Sequence, residues 1–261
     1  MAFPLYIPLG PWQLHPHVVF ETLAYFIGFR VYLWQRRRHG DAIDTSTRWS
    51  IVAAAIAGAA VGSKLLFWLE DPALTWQHAT DIVFLMSGKT IVGGLVGGLI
   101  GVEVTKRAFG VRQSTGDLFA VPLAIGAAIG RIGCFLTGLS DQTYGIATTL
   151  PWGLDFGDGV RRHPTQLYEA LFLIALAALL ARVGRRPHVN GDLFKGFMTG
   201  YLGLRLAVDF LKPELRFGGL SSIQWVALAV LLYYARDIAR WLAGAGDVAA
   251  WRKSFPAGSR R

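Results

Sequence analysis

Three polar side chains lie at successive turns of an otherwise apolar stretch of this 261-residue chain: Tyr201, Arg205 and Asp209. Their spacing of four residues places them on one face of a helix. A phenol, a guanidinium and a carboxylate on one stripe are typical of one wall of a polar cavity, where the guanidinium can bind an anion. The alternative is an Arg–Asp ion pair that only holds the helix together.

A second arginine, Arg131, lies between glycines in the sequence Gly-Arg-Ile-Gly. A guanidinium presents two parallel N–H groups that match two phosphate oxygens, so this residue indicates a phosphate-binding role near the outer end of its segment. An interfacial arginine that meets bulk lipid headgroups is the alternative. Cys134, one helical turn further on, is the only cysteine, so no internal disulfide forms. We interpret it as a small core residue.

A third group of polar residues lies in the sequence HPTQLYE. Pro164 suits the first turn of a helix, and Gln166 and Glu169, three residues apart, share one face of that helix. Either His163 or Glu169 has the chemistry for proton transfer. The alternative for His163 is the role of a hydrogen-bond partner only.

Lys89 interrupts an apolar segment within the sequence Ser-Gly-Lys-Thr. This is not a phosphate-binding loop, because Val83 occupies the position five residues before Gly88 where that motif requires glycine. We expect Lys89 to lie in the outer half of a membrane, on irregular backbone that lines a cavity. Metal-ligand spacings such as HExxH do not occur in the sequence, so we predict no metal site and no cofactor.

The elements that carry these groups are predicted to be membrane spans. The chain is 53% hydrophobic and 16% charged, whereas about 25% charge is usual in soluble domains. The fold class is therefore an all-α membrane protein, a single transmembrane domain over residues 1–261 with about seven helices. The predicted spans are 17–34, 49–69, 82–104, 117–138, 165–180, 194–211 and 222–234. A small-residue face for close helix packing is formed by Gly93, Gly94, Gly97, Gly98 and Gly101.

The net charge of +9 is explained by membrane orientation. With the N-terminus outside, four Lys or Arg residues fall in outer loops and seventeen in inner loops and the C-terminal tail. Because Lys and Arg accumulate on the cytoplasmic side, the topology is N-out and C-in. Nucleic acid is therefore excluded as a partner. We also predict an ordered outer loop at 139–164 and a basic cytoplasmic tail at 242–261.

Three segments of the chain resemble the bacterial prolipoprotein diacylglyceryl transferases in sequence and in order: 130–135, 162–169 and 200–209. The likeness covers about residues 17–235 and includes the Gly-Gly-Leu turn at 93–95. It implies a multi-pass enzyme of the bacterial inner membrane. Such an enzyme transfers diacylglycerol from phosphatidylglycerol, a membrane lipid, to the thiol of a lipobox cysteine in a preprotein, and releases glycerol phosphate.

The resemblance also implies roles for individual residues. In that family the arginine matching Arg131 binds the lipid headgroup, and the arginine matching Arg205 is essential for catalysis. Tyrosine and glycine positions matching Tyr201 and Gly145 belong to the functional set. Together with the residue chemistry above, this predicts a catalytic group of Arg205, Tyr201 and His163. It predicts a substrate-binding group of Arg131, Gly145, Lys89, Gln166, Glu169 and Asp209.

The chain departs from the family pattern at several positions. The family usually has asparagine at the position of Cys134 and glutamate near the position of Asp209. Val92 occupies the position of its functional histidine, and Glu21 lies near the position of a tyrosine early in the first helix. Candidates for the base that deprotonates the thiol are therefore His163, Tyr201 and Lys89. Two other functions stay open at this point: a paralogue with the same lipid cavity but another acceptor or headgroup, and a non-catalytic lipid-binding protein or transporter.

Overall fold

The computed structural model describes residues 3–243. The predicted tail at 242–261 therefore lies almost entirely outside the described residues. Within the described range the chain forms ten α-helices: α1 (Pro16–His39), α2 (Thr45–Glu70), α3 (Pro72–Gln77), α4 (Ile82–Met86), α5 (Ile91–Ala108), α6 (Asp117–Thr137), α7 (Thr165–Val183), α8 (Asp192–Val208), α9 (Ser222–Tyr233) and α10 (Ala235–Leu242). Short 3₁₀ turns follow α6 (Gly138–Asp141) and α8 (Asp209–Leu211).

The prediction of a mostly helical membrane chain is confirmed. Among residues 3–243, three helices are long and apolar enough to cross a membrane: α2, α6 with its 3₁₀ turn, and α7. The segment predicted at 82–104 is divided into α4 and α5, because the backbone leaves the helical path at Ser87. Thr90 begins the second part by accepting a hydrogen bond from the backbone N–H of Gly93 at 3.1 Å. The ammonium of Lys64 donates to the carbonyls of Ser87 and Gly88, at 2.8 and 2.7 Å, and so holds the break.

Two small hairpins correct the prediction of a purely helical chain. Strands β1 (Ile7–Leu9) and β2 (Trp12–Leu14) pair before α1, and β3 (Leu154–Asp155) and β4 (Arg161–Arg162) pair in the outer loop. Strands of two or three residues carry too few alternating positions to be detected by periodicity. The backbone N–H of Leu5 donates to the carbonyl of Leu136 at 2.9 Å, which anchors the first hairpin at the C-terminal end of α6.

The predicted glycine face is confirmed as the contact between α2 and α5. A Cβ atom added at Gly62 would lie 2.4 Å from the carbonyl oxygen of Gly93, and one at Gly97 would lie 2.2 Å from that of Gly58. Only glycine allows backbones to approach this closely. These two helices therefore form a tightly packed pair.

Helix α6 packs against α1, α7 and α8. Its buried face is made of small residues, among them Ala120, Ala124 and Ala128, against which Leu173 and Met198 pack. Small side chains let the neighbouring helices come close, so polar groups near the end of α6 can meet partners from α7 and α8. That end holds the candidate site.

Candidate active site

Glu169, at the start of the second turn of α7, is completely buried and lies among three cations. Its carboxylate is 2.9 Å from Nε of Arg131 on α6 and accepts a hydrogen bond from Nζ of Lys212 at 2.8 Å. Arg205 on α8 brings Nη1 to 3.9 Å from the same carboxylate. Because an unpaired charge buried in protein costs several kcal/mol, the cations and the carboxylate depend on one another.

Tyr201 joins the three helices at the same point. Its hydroxyl donates to Oε2 of Glu169 at 3.3 Å and accepts from Nη2 of Arg131 at 3.4 Å. The side chain is fully buried, so the hydroxyl has no bulk water to bond. Residues from α6, α7 and α8 thus form one polar cluster.

Arg205 and Asp209 form the ion pair that their spacing predicts. Nε and Nη2 of Arg205 donate to the two carboxylate oxygens of Asp209 at 2.9 and 3.0 Å. The pair is not isolated, because Arg205 also lies between Glu169 and Glu214, each 3.9 Å away. The structure therefore supports a shared polar cluster over an ion pair that only braces one helix.

Burial shifts the pKa values of two residues at the edge of the cluster, Lys212 and Glu214. Burial and the nearby charge of Asp209 raise the pKa of Glu214. Burial and the charge of Arg205 lower the pKa of Lys212. The guanidiniums of Arg131 and Arg205 stay protonated, since arginine is not deprotonated in proteins.

Gln166 lies one turn before Glu169 and is also completely buried. Neither its amide nitrogen nor its amide oxygen has a hydrogen-bond partner among residues 3–243. Buried amides are normally satisfied, and leaving one unsatisfied costs about 1–3 kcal/mol. The amide therefore presents a donor and an acceptor that no residue in the described range uses.

The sequence model of a family described as prolipoprotein diacylglyceryl transferase matches residues 4–236. The chain belongs to the prolipoprotein diacylglyceryl transferase family. A phosphatidylglycerol–prolipoprotein diacylglyceryl transferase of Bordetella parapertussis is 31% identical over 249 residues, covering 88% of this chain and 91% of the relative. Proteins of the same name from Methylobacillus flagellatus and from Wolbachia of Drosophila simulans are 30% and 31% identical over 253 residues, covering 88% of this chain and 92% and 93% of the relatives.

Gly145 is a position where this member of the prolipoprotein diacylglyceryl transferase family requires glycine for space. An added Cβ would lie 2.6 Å from the Cβ of His163 and 2.9 Å from the carbonyl oxygen of Leu211. The backbone N–H of Gly145 donates to the carbonyl of His163 at 3.0 Å. Gly145 therefore joins the outer loop to the ends of α7 and α8, next to the buried cluster.

The structure places two predicted site residues outside the cluster. The half-buried ring of His163 forms a hydrogen bond with the hydroxyl of Tyr168 at 3.3 Å. Lys89 is exposed and pairs with Glu21 on α1. Val92, at the position of the histidine in the family resemblance, is fully buried in the hydrophobic core. The cluster thus unites Arg131, Glu169, Tyr201, Arg205 and Asp209, with Gln166 buried one turn before Glu169, while His163 and Lys89 lie outside it.

Lys212 is the cluster member that sequence reasoning missed, because hydropathy assigns it to an outer loop. The 3₁₀ turn after α8 carries it back, so that its side chain is only 4% exposed. Its ammonium lies 3.6 Å from Asp209 in addition to its bond with Glu169. The available signal was its spacing of three residues from Asp209 and seven from Arg205, which continues the polar stripe of α8.

Proposed function

We propose that this chain transfers the diacylglyceryl group of phosphatidylglycerol to the lipobox cysteine of a preprotein and releases glycerol phosphate. Its place in the family and the names of its relatives support this reaction. One observation carries the proposal: Arg131 from α6 and Arg205 from α8 converge on a single anionic partner, Glu169. A phosphodiester has the same charge and the same kind of oxygen atoms as that carboxylate.

The buried cluster supplies the chemistry of the donor lipid. The phosphate competes with Glu169 for the guanidiniums of Arg131 and Arg205. The thiolate attacks the glyceryl carbon, the S–C bond forms and the C–O bond to phosphate breaks. The two arginines stabilise the charge that develops on the departing phosphate oxygen. The thiol proton ends on the released glycerol phosphate, so atoms and charges balance.

We assign the remaining residues by what they contact. Asp209 fixes the guanidinium of Arg205, and Tyr201 holds that of Arg131 in place. Gln166 provides its unsatisfied amide to the lipid headgroup. His163, half-buried beside the outer loop, is the proposed acceptor of the thiol proton.

Two further residues are assigned to substrate binding. Gly145 keeps the outer loop close to the cluster. Lys89 is exposed, and we propose that it attracts anionic headgroups.

We also propose a single multi-pass domain of the bacterial inner membrane with seven spans, N-out and C-in. The first hairpin and the cluster lie at one end of α6, through the bond of Leu5 to Leu136. At its other end, Asp117 accepts hydrogen bonds from the backbone N–H groups of Gly191 and Phe194 at 2.7 and 3.0 Å. The first hairpin and the loop between α7 and α8 therefore lie at opposite ends of α6. The proposed topology places an odd number of spans between them, which agrees with this arrangement.

A transfer assay tests the proposed function. The full chain in detergent micelles is mixed with labelled phosphatidylglycerol and a lipobox peptide, and the peptide is examined by mass spectrometry. We expect a thioether-linked diacylglyceryl group on the cysteine, lost in Arg131→Gln and kept in Arg30→Gln, a matched change at an exposed arginine of α1. An unmodified peptide with folded wild-type protein would contradict the proposal.

A further inference from the structure

A second polar cluster lies beside the one described above. His17 in the first turn of α1, Cys134 in the last turn of α6 and Asp141 at the end of the following 3₁₀ turn meet at one point. Each offers one ligand atom, and these atoms all lie within 4.8 Å of one another. Nδ1 of His17 is 2.8 Å from Oδ1 of Asp141. An imidazole nitrogen, a thiol sulfur and a carboxylate oxygen thus converge from three separate elements.

These separations suit one small metal ion. Zinc binds nitrogen and oxygen at about 2.0–2.2 Å and sulfur at about 2.3 Å in a tetrahedron, which separates ligand atoms by about 3.5 Å. The ligand atoms lie within 4.8 Å of one another, so binding requires them to move closer together. A mixed set of imidazole, thiolate and carboxylate favours zinc over magnesium or calcium, which prefer oxygen ligands.

The site is closed except on one side. Cys134 is buried, the Asp141 side chain is 9% exposed, and the His17 side chain is 30% exposed. A metal ion bound here would have three protein ligands, and the partial exposure of His17 leaves access for a fourth. Zinc sites with three protein ligands and an open fourth position are the ones that take part in reactions.

Glu21 supports the imidazole ligand from its other side. Its carboxylate lies 3.5 Å from Nε2 of His17, one turn along α1. A carboxylate at the second ring nitrogen fixes the orientation of a metal-bound histidine and strengthens it as a ligand. Glu21 is itself held by Lys89 and by the hydroxyl of Tyr25, the latter at 3.0 Å. Lys89 thus also helps to hold Glu21 beside the imidazole.

We propose that His17, Cys134 and Asp141 bind one Zn²⁺ whose open position takes the thiol of the acceptor cysteine. The role of the metal rests on the proposed function, whereas its binding does not. Cys134 follows Arg131 by three residues, so the metal lies about one helical turn from the guanidinium proposed to hold the lipid phosphate. The two reactants would thus be held side by side.

The proposed step uses the known chemistry of metal-bound thiols. A thiol that coordinates zinc loses its proton, and thiolate is the nucleophilic form of sulfur. The bound sulfur attacks the glyceryl carbon of the lipid, an S–C bond forms and the C–O bond to phosphate breaks. The neutral thioether then leaves the zinc, and the thiol proton ends on the glycerol phosphate. No oxidant or reductant is required.

Metal analysis tests the site without reference to activity. The full chain, purified in detergent without chelators, is analysed by inductively coupled plasma mass spectrometry. We expect about one zinc per chain, and a loss to background in Cys134→Ser and in Asp141→Asn. His15→Ala, two residues from His17 and in edge-to-face contact with Tyr6, is the matched control and keeps its zinc. Folded wild-type protein that holds no zinc, even after titration with Zn²⁺, would overturn the proposal.

The absorption spectrum of cobalt-loaded wild-type protein tests the metal site even if the variants fail to fold. In Co²⁺-loaded wild-type protein, bonding of the Cys134 thiolate gives a sulfur-to-cobalt charge-transfer band, which increases when lipobox peptide is added and supplies a second thiolate. A spectrum without this band would contradict binding of the metal by the Cys134 thiolate. A band that the peptide leaves unchanged would contradict an open position for the acceptor thiol.

The outcomes also separate the zinc proposal from the proposed function. If metal-free protein modifies the peptide at the full rate, the function stands and the catalytic role of zinc fails. If zinc and peptide bind but no lipid is transferred from phosphatidylglycerol, the metal site stands and the function fails. Transfer that is lost on chelation and restored by Zn²⁺ supports both.

Discussion

Arg205 depends on the shape of its side chain as well as on its charge. Two of its nitrogens bond both oxygens of Asp209, and a third faces Glu169. A lysine places one ammonium in this space and cannot repeat that fork. We expect Arg205→Lys to lower the rate of diacylglyceryl transfer by roughly 100-fold, the usual effect of losing one donor to a developing oxyanion.

Initial rates with labelled lipid and lipobox peptide measure this effect. Arg30→Lys, the same change at an exposed arginine, should retain the wild-type rate. A rate for Arg205→Lys within a factor of about two of wild type would show that the fork has no part in the reaction.

Glu169 is expected to matter for stability, because its removal leaves three cations buried together. Breaking a buried ion pair from one side costs about 3–5 kcal/mol, so Glu169→Gln should unfold at much lower denaturant in micelles. Asp158→Asn is the matched control, because Asp158 is exposed on the outer loop in its pair with Arg162, and exposed pairs contribute little to stability. Equal losses in the two variants would argue against a central role for Glu169.

For individual residues, the sequence predicted which side chains belong to the site but not which residues they contact. Helical spacing and the cost of charge in a membrane identified Arg131, Glu169 and Arg205. Spacing carries no information about which helices are neighbours, so the meeting of Arg131 with Glu169 needed the structure. Cys134 was interpreted as a core residue for the same reason, since His17 lies 117 residues earlier in the chain.

The pair formed by α2 and α5 makes a prediction at the scale of elements. A methyl group at Gly97 would lie 2.2 Å from the carbonyl oxygen of Gly58, which is backbone and cannot rotate away. We expect Gly97→Ala to separate the helices and to cost about 1–3 kcal/mol, as overpacking generally does. Gly130→Ala on α6 has open space around the new methyl group and should be neutral or slightly stabilising.

Thermal unfolding of the two alanine variants in micelles, followed by circular dichroism, provides the comparison. A midpoint for Gly97→Ala equal to that of Gly130→Ala would show that α2 and α5 are not in backbone contact.

The turn between α1 and α2 gives a pH prediction. Burial opposes ionisation of Asp41, but hydrogen bonds and charge from Arg48, with further charge from Arg36, lower the pKa of Asp41. Because this pKa is lower in the folded protein, the stabilisation is present above the ordinary pKa of about 4 and is lost as pH falls further. We expect Asp41→Asn to be less stable at neutral pH, with a difference from wild type that shrinks below about pH 4.

Unfolding midpoints measured across the acid range test this sign. Arg48 also donates to the carbonyl of Thr115 at 3.0 Å, which persists in the variant and serves as an internal reference for an intact turn. A difference between variant and wild type that grows towards acid would contradict the assignment.

Hydropathy predicted elements well where they are long and uniform. The helices α6 and α7 begin at Asp117 and Thr165, the residues at which the predicted spans begin. The observed helix α1 is longer than the predicted span at its C-terminal end, where Arg36, Arg37 and Arg38 extend it beyond the apolar stretch. The break at Ser87 was visible as a polar interruption, but the Lys64 bonds that hold it join residues more than twenty positions apart.

At the scale of the whole molecule, the proposed orientation follows from charge and from the two ends of the bundle. We expect alkaline phosphatase inserted after Gly157, in the outer loop, to be active, since that enzyme folds only outside the cytoplasm. The same insertion after Gly110, beyond α5, should be inactive, and green fluorescent protein there should fluoresce. The reverse pattern of activities would contradict the N-out, C-in topology.

Family membership was predictable from the sequence, because three separated sequences occur in the family order. The arrangement of the helices around α6 was not, since several helices have similar lengths and apolar surfaces. The outer loop shows the same limit: its aromatic residues predicted order, but the bond from Trp152 to the Tyr168 hydroxyl at 2.8 Å depends on how α7 begins.

The central claim is that Arg131 and Arg205, from different helices, hold one lipid phosphate. A double-mutant cycle on the dissociation constant for phosphatidylglycerol, measured by native mass spectrometry with Arg131→Gln, Arg205→Gln and the double variant, tests it most directly. We expect a coupling of at least about 1 kcal/mol, because both residues share one ligand, and additive effects for the control pair of Arg131→Gln with Arg30→Gln. Additive effects of Arg131→Gln and Arg205→Gln would contradict a common phosphate site.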